Sequence, residues 1–214
     1  MAKRVGPSGK VYANDVQPAM LDLLRQNAAK AGIRNVQTIL GGEDDPKLPR
    51  VLLIGDSISI GYTPEVRKLL AGRANVHRIP ANGGPTTNGL SHLRDWLGAN
   101  RWDVIHFNWG LHDLKIMTNG QHQVELPQYA ANLHQLVSQL KTTDANLVWA
   151  STTPVPEGKL NPLRHPADVP LYNETALRVM KESGVRVNDL EDYGRYVTFQ
   201  CFDPDGYKIE VYSS

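Results

Sequence analysis

The chain has 214 residues, a formal net charge of +1 and one cysteine. That length accommodates one domain with additions and a sizeable core. The near-neutral charge gives no pull toward nucleic acid or an anionic membrane surface. A single cysteine excludes an internal disulfide and a cysteine-based zinc site. Met1-Ala2-Lys3-Arg4-Val5-Gly6-Pro7 has no apolar stretch of signal-peptide type. No apolar run approaches membrane-spanning length. The expectation is a soluble chain, cytoplasmic by default.

Residues 10–40 read as a β-α-β piece. Lys10–Ala13 is a short strand. Asp15 can cap a helix over Pro18–Lys30, with Leu21, Leu24 and Ala28 on one face and Gly32 as its stop. Asn35–Leu40 is a second strand, closed by Gly41-Gly42. Glu43-Asp44-Asp45-Pro46-Lys47-Leu48-Pro49 is charged and proline-bounded, hence a linker.

Val51-Leu52-Leu53-Ile54 then reads as a strand buried on both faces. Gly55 lets the backbone turn, and Asp56-Ser57 sits where the strand hands over to a helix. A hydroxyl at the carboxyl end of a sheet strand, near helix N–H groups, is where open α/β folds place their chemistry. The plainer reading is that Ser57 only caps the helix. Thr63-Pro64-Glu65 opens a helix with Pro at its first position, and Gly72 ends it. Val76–Pro80 is the next strand. It leads into Asn82-Gly83-Gly84-Pro85-Thr86-Thr87-Asn88-Gly89, whose small residues let backbone N–H groups approach a ligand or simply form a tight turn.

A short amphipathic helix carries Leu90, Leu93, Trp96 and Leu97. Trp102–Trp109 is a long strand ending at Gly110-Leu111-His112-Asp113, and His106 within it reads as a core or face residue. Pro127–Leu140 is a helix with Tyr129, Leu133, Leu136, Val137 and Leu140 on its buried side. Asn146–Ala150 is a strand, and the loop from Ser151 to Pro170 is a natural pocket wall. A helix over Leu171–Lys181, stopped by Gly184, and a last core strand over Val185–Leu190 follow. The alternation predicts a parallel sheet with helices on both faces. The chain ends in two alternating strands around Asp203-Pro204-Asp205-Gly206, a hairpin turn by composition. The edges of that hairpin offer pairing to a second copy, so a homo-oligomer through it is one expectation.

Gly55-Asp56-Ser57 within Val51–Ser59 resembles the first block of the SGNH (GDSL-like) hydrolases. It is not the G-x-S-x-G elbow, because position 59 is Ser59. The resemblance covers about 49–190 and implies a flavodoxin-like three-layer α/β sandwich and an esterase whose nucleophile is Ser57. It implies an oxyanion-hole N–H from Gly84, with Gly83 as runner-up. The family's third block is Gly-x-Asn-Asp, so His112 stands where an Asn amide would donate to the oxyanion. An imidazole N–H can do the same, with a dependence on pH. Asp56 and Asp113 are implied as supporting residues. The family next shows Asp-x-x-His, whose His is the base, yet no His follows His165 in this sequence. His165 is the one candidate for a substitute base. No cofactor and no metal are implied.

Two flanking resemblances are shorter. Gly6–Val16 followed by Met20-Leu21 is similar to class I S-adenosylmethionine-dependent methyltransferases, in which an acid matching Asp15 holds the ribose hydroxyls. The Gly-rich loop that should precede it has no counterpart here, so methyl transfer is not expected. The terminal hairpin resembles the last hairpin of glyoxalase/bleomycin-resistance (vicinal oxygen chelate) domains, where a Glu matching Glu210 is often a metal ligand. One carboxylate on one hairpin makes no metal site. The expected organisation is 1–48, 49–190 and 191–214, as in a fusion or chimera. Two functions remain open. One is a serine ester hydrolase for small or acetylated esters, impaired by the missing Asp-x-x-His block. The other is a non-catalytic binding or chimeric protein on the same scaffold.

Overall fold

The structure, a computed structural model, describes residues 9, 11–15, 18–40, 44–158, 160–188, 199–202 and 208–211. The chain divides into two compact units, Met1–Pro46 and Lys47–Ser214. In the first unit, β1 (Val11–Asp15), α1 (Pro18–Lys30) and β2 (Val36–Leu40) follow one another. The two strands pair in parallel, from Val11 opposite Val36 to Asp15 opposite Leu40. Gly32, at φ +67, ends α1. Its N–H donates to the Ala29 carbonyl, and the Ile33 N–H reaches back to Ala28 at 2.9 Å. This paired return is the Schellman arrangement, which satisfies the last carbonyls of the helix. The ribose-holding role that the resemblance gave Asp15 rests on a side chain outside the described residues, as does the ligand role of Glu210.

The second unit opens with β3 (Arg50–Ile54), α2 (Ser57–Leu69), β4 (Asn75–Arg78) and α3 (Thr86–Leu97). It continues through β5 (Val104–Phe107), α4 (Leu126–Lys141), β6 (Asn146–Ala150), α5 (Asp168–Glu182) and β7 (Arg186–Asn188). Its five-stranded sheet has the order β4-β3-β5-β6-β7, and every neighbouring pair is parallel. Strand alternation sends Leu52, Ile54, Ile105, Phe107 and Trp149 to one face. There they join the buried residues of α3, α4 and α5, including Leu93, Leu136 and Tyr172, in one core. The opposite face takes α2, which packs on β3 and β4. The result is the expected α/β three-layer sandwich. Beyond it, β8 (Phe199–Phe202) pairs antiparallel with β9 (Lys208–Val211), Phe199 opposite Val211. No helix among the described residues is long and apolar enough to cross a membrane.

α5 begins at Asp168, three residues before the expected Leu171, and three boundaries nearer the site also depart from the sequence reading. α2 begins at Ser57 and holds Pro64 in its interior, whereas Pro64 was expected at its first position. A proline there leaves only the Ile60 carbonyl without an N–H partner, and Ile60 is 49% exposed, so water can serve it. α3 starts at Thr86, inside what reads as loop, because the N–H of that first residue finds an acceptor far along the chain. β5 is half its expected length, since the chain leaves the sheet after Phe107 while Trp109 stays buried beyond it.

Candidate active site

The site lies at the carboxyl ends of β3, β4 and β5. The connection from β3 runs to one side of the sheet, and the chain then crosses to the other, so this is the topological switch point where open α/β sheets bind ligands. At the end of β3, a Cβ on Gly55 would lie 2.9 Å from the Ser59 Cβ. The turn therefore needs glycine for space. Asp56 is the N-cap of α2, with extended backbone and its Oδ1 accepting from the Ile58 N–H at 3.0 Å. Capping thus belongs to Asp56, and Ser57 is the first helical residue. Its half-buried Oγ makes no hydrogen bond to another described residue.

The loop after β4 is held against this turn. The Gly83 N–H donates to the Gly55 carbonyl at 2.9 Å. A Cβ on Gly83 would sit 2.8 Å from that same oxygen, so only glycine allows the approach. The Gly84 N–H, at φ +59, donates to Asn82 Oδ1 at 2.9 Å. This last bond is exposed, and its acceptor is a side-chain oxygen that an incoming carbonyl oxygen can replace. The Gly83 bond to main chain is not replaceable in that way. Of the two candidate glycines, Gly84 therefore fits an oxyanion donor better.

His112 and Asp113, adjacent in sequence, go opposite ways. The His112 ring faces the turn after β3, its Nε2 3.9 Å from Asp56 Oδ2. Burial lowers its pKa. The Asp56 carboxylate opposes that effect, and Arg164 and Lys115 add to it. The imidazole is therefore neutral at pH 7. Asp113 turns inward and is fully buried. Its Oδ1 accepts from the Thr86 N–H at 2.8 Å and from the Thr86 hydroxyl. Thr86 Oγ1 in turn accepts from Asn132 at 2.9 Å. The N-cap residue of α3, Pro85, has no capping side chain, so Asp113 supplies the cap from across the fold. Its support is to the Gly84 loop, not to the reacting atoms. Burial pushes its pKa up to about 7, against the Thr86 hydrogen bonds.

His165 is exposed, and its carbonyl accepts from the Asp168 N–H. The neighbouring Arg164 donates to the Leu111 carbonyl at 2.8 Å, which brings this loop to the third block. Among the described residues, no hydrogen bond, ion pair or ring contact joins the His165 ring to Ser57 or to a carboxylate. His106 stands on the α2 face with its ring edge toward Tyr62, and burial lowers its pKa to about 4. Away from the site, His122 lies between Glu125 and Asp168, its Nε2 2.9 Å from Asp168. Among the described residues, no group of three His, Cys, Asp or Glu could hold a metal ion. Sequence reasoning missed Arg78 at the end of β4. The signal was a charge in Val76-His77-Arg78-Ile79, where a sheet strand otherwise carries apolar side chains.

No family model matches the sequence. Solved structures do match its fold. An acetyl xylan esterase is 13% identical with a TM-score of 0.57, covering 65% of this chain and 76% of its own. An acetylxylan esterase from Geobacillus stearothermophilus is 18% identical with a TM-score of 0.54, covering 66% and 76%. A lipase/acylhydrolase from Enterococcus faecalis is 18% identical with a TM-score of 0.54, covering 65% and 75%. At these identities the likeness is one of fold: the chain has the α/β three-layer architecture of SGNH-like hydrolases.

Proposed function

We propose that the chain is a serine ester hydrolase acting on small or acetylated esters. The observation that carries this reading is the convergence at the switch point. Ser57 opens α2 at the end of β3, the Gly83 N–H is tied to the Gly55 carbonyl, and the His112 ring faces Asp56. In this reading Ser57 Oγ attacks the ester carbonyl and loses its proton to water or a side chain, the ester C–O bond breaks to release the alcohol, and water then cleaves the acyl-serine to free the acid. The Ser57 and Gly84 N–H groups and the His112 ring hold the developing oxyanion. Asp56 fixes the turn through its cap. The acetyl xylan esterases among the matched structures, together with a 152–170 loop holding Pro, Lys, Arg and His but no long apolar run, support a small or polar substrate such as an acetylated sugar. The matched structures lend no support to the two flanking resemblances, and in this reading neither residues 1–48 nor the terminal hairpin takes part in the reaction. Self-association through the terminal hairpin remains part of the proposal for the whole chain.

The base is the weak part. A triad without its base keeps about 10³–10⁴-fold acceleration over water through binding and the oxyanion hole. Slow turnover of an activated ester is therefore expected. A second reading rests on one contact, Asp56 Oδ2 to His112 Nε2 at 3.9 Å. It makes His112 the base and Asp56 its orienting acid. The test is hydrolysis of p-nitrophenyl acetate by the parent and by Ser57→Ala across pH. Turnover that disappears with Ser57 supports the hydrolase. Equal rates for the two proteins overturn it in favour of a non-catalytic binding scaffold.

A further inference from the structure

Arg78, the last residue of β4, pairs in register with Leu53 of β3. Among the described residues its guanidinium makes five hydrogen bonds, none to a carboxylate. Nε donates to Ser59 Oγ at 2.9 Å, and Nη1 donates to the Ile79 carbonyl at 2.7 Å. Nη2 serves the carbonyls of Gly55, Asp56 and Ala81 at 3.2, 3.2 and 3.1 Å. Ser59, itself buried, passes a further bond to the Asp56 carbonyl at 2.7 Å. One planar fork thus joins the end of β3, the first turn of α2 and the start of the glycine loop. A lysine could not reproduce this, because an ammonium offers no fixed fork.

The consequence follows from peptide geometry. In a trans peptide the carbonyl and the following N–H point in opposite directions. Arg78 Nη2 at 3.2 Å, with the Ser59 hydroxyl at 2.7 Å and the Ile60 N–H at 3.4 Å, holds the Asp56 carbonyl, so the Ser57 N–H is aimed the opposite way, off the N-terminal end of α2. The Ala81 carbonyl is drawn in the same way, which fixes the peptide leading into Asn82 and Gly83. The geometry points to Arg78 as a positioning residue for the nucleophile turn: it sets the direction of the Ser57 N–H and the spacing between that turn and the glycine loop. Arg78 touches no substrate in this role. The inference rests on the reading of Ser57 as an ester-cleaving nucleophile.

The test compares the parent, Ser57→Ala, Arg78→Lys and Arg78→Ala on p-nitrophenyl acetate, with circular dichroism and a melting curve for each. Misplacement of a donor by about 1 Å costs about 10²-fold. The expected result is a fall of that order in kcat for both Arg78 variants, with KM little changed. Guanidinium ion added to Arg78→Ala is expected to restore part of kcat, which a residue needed only for folding would not allow. If Arg78→Ala fails to fold, Arg78→Lys, which keeps stem and charge, carries the kcat and KM comparison. A folded Arg78 variant with the parent's kcat overturns the positioning role and leaves the hydrolase standing. A parent no faster than Ser57→Ala overturns both.

Discussion

Replacing His112 separates the two readings proposed for this site. Its ring is 26% exposed, and its Nε2 lies 3.9 Å from Asp56, beyond hydrogen-bond range. The carboxylate therefore does not consume a ring N–H. Loss of one oxyanion donor costs about 10²–10³ in kcat, about 2.7–4 kcal/mol. Set against the 10³–10⁴-fold acceleration expected without a base, His112→Ala should fall to within about 10²-fold of the reaction in water. His112→Asn replaces the imidazole with an amide donor, the group the third block of the resembling family carries, and should keep most of the parent's rate. The pH profile adds a second axis. Burial depresses the His112 pKa below its ordinary 6.5, with Asp56 opposing and Arg164 and Lys115 assisting. Protonation leaves the ring a donor, so an oxyanion role predicts no loss of kcat/KM as pH falls through that value. A general base is silenced by the same protonation. The assay is steady-state hydrolysis of p-nitrophenyl acetate from pH 4 to 9 by the three proteins. A dead His112→Asn beside a parent that loses kcat/KM on the acid side would refute the donor assignment and make His112 the base.

Three further outcomes are expected. Gly89→Ala should destabilise by about 1–3 kcal/mol in urea unfolding, despite the helix-propensity gain of about 1 kcal/mol, because the new Cβ would lie 2.7 Å from Cζ2 of buried Trp109; an unchanged midpoint would show that the ring yields. Asp113, raised by burial from 3.8 to about 7, contributes stability that is full below pH 4 and lost as pH rises through about 7. Asp113→Asn should therefore flatten the fall in melting temperature between about pH 4 and pH 7. His106, lowered by burial to about 4, acts in the opposite sense: its contribution is present above pH 6.5 and is lost as pH falls toward 4, on the order of 3 kcal/mol. His106→Phe should remove that acid-side slope, and a slope that persists would place the titration elsewhere.

Elements whose signal is local were legible in the sequence. The apolar run Val51–Ile54 gives β3, and the spacing of Tyr129, Leu133, Leu136 and Leu140 gives α4. The start of α2 was not legible. Pro64 satisfies the rule for a first helical position, but the Asp56 cap stabilises an earlier start and exposure makes the proline tolerable. The start of α3 was hidden for a different reason. Its acceptor is Asp113, 27 residues away, and no window of sequence reports such a bond. The same division runs through the site. Ser57, Gly84 and His112 belong to short motifs readable in place. The roles proposed for Asp113 and Arg78 rest largely on long-range hydrogen bonds, so the resemblance named Asp113 as a supporter without saying of what, and Arg78 was passed over.

That division also bears on what the missing histidine costs. The electrostatic half of such a site, its oriented N–H groups, often supplies the greater share of the acceleration. Here that half is held by bonds that begin and end between residues 55 and 113: Gly83 to Gly55, Thr86 to Asp113, and the Arg78 fork. Residues beyond the third block brace them, Asn132 through Thr86 Oγ1 and Arg164 through the Leu111 carbonyl. The donors are thus organised before any base is supplied, and their geometry does not depend on one. A base acts elsewhere, on the proton of Ser57 Oγ. Losing it lowers the rate without releasing the donors. Substitutions at Gly83, Asp113 and Arg78 should therefore change kcat by factors that stay the same whether the proton leaves to water or to a side chain.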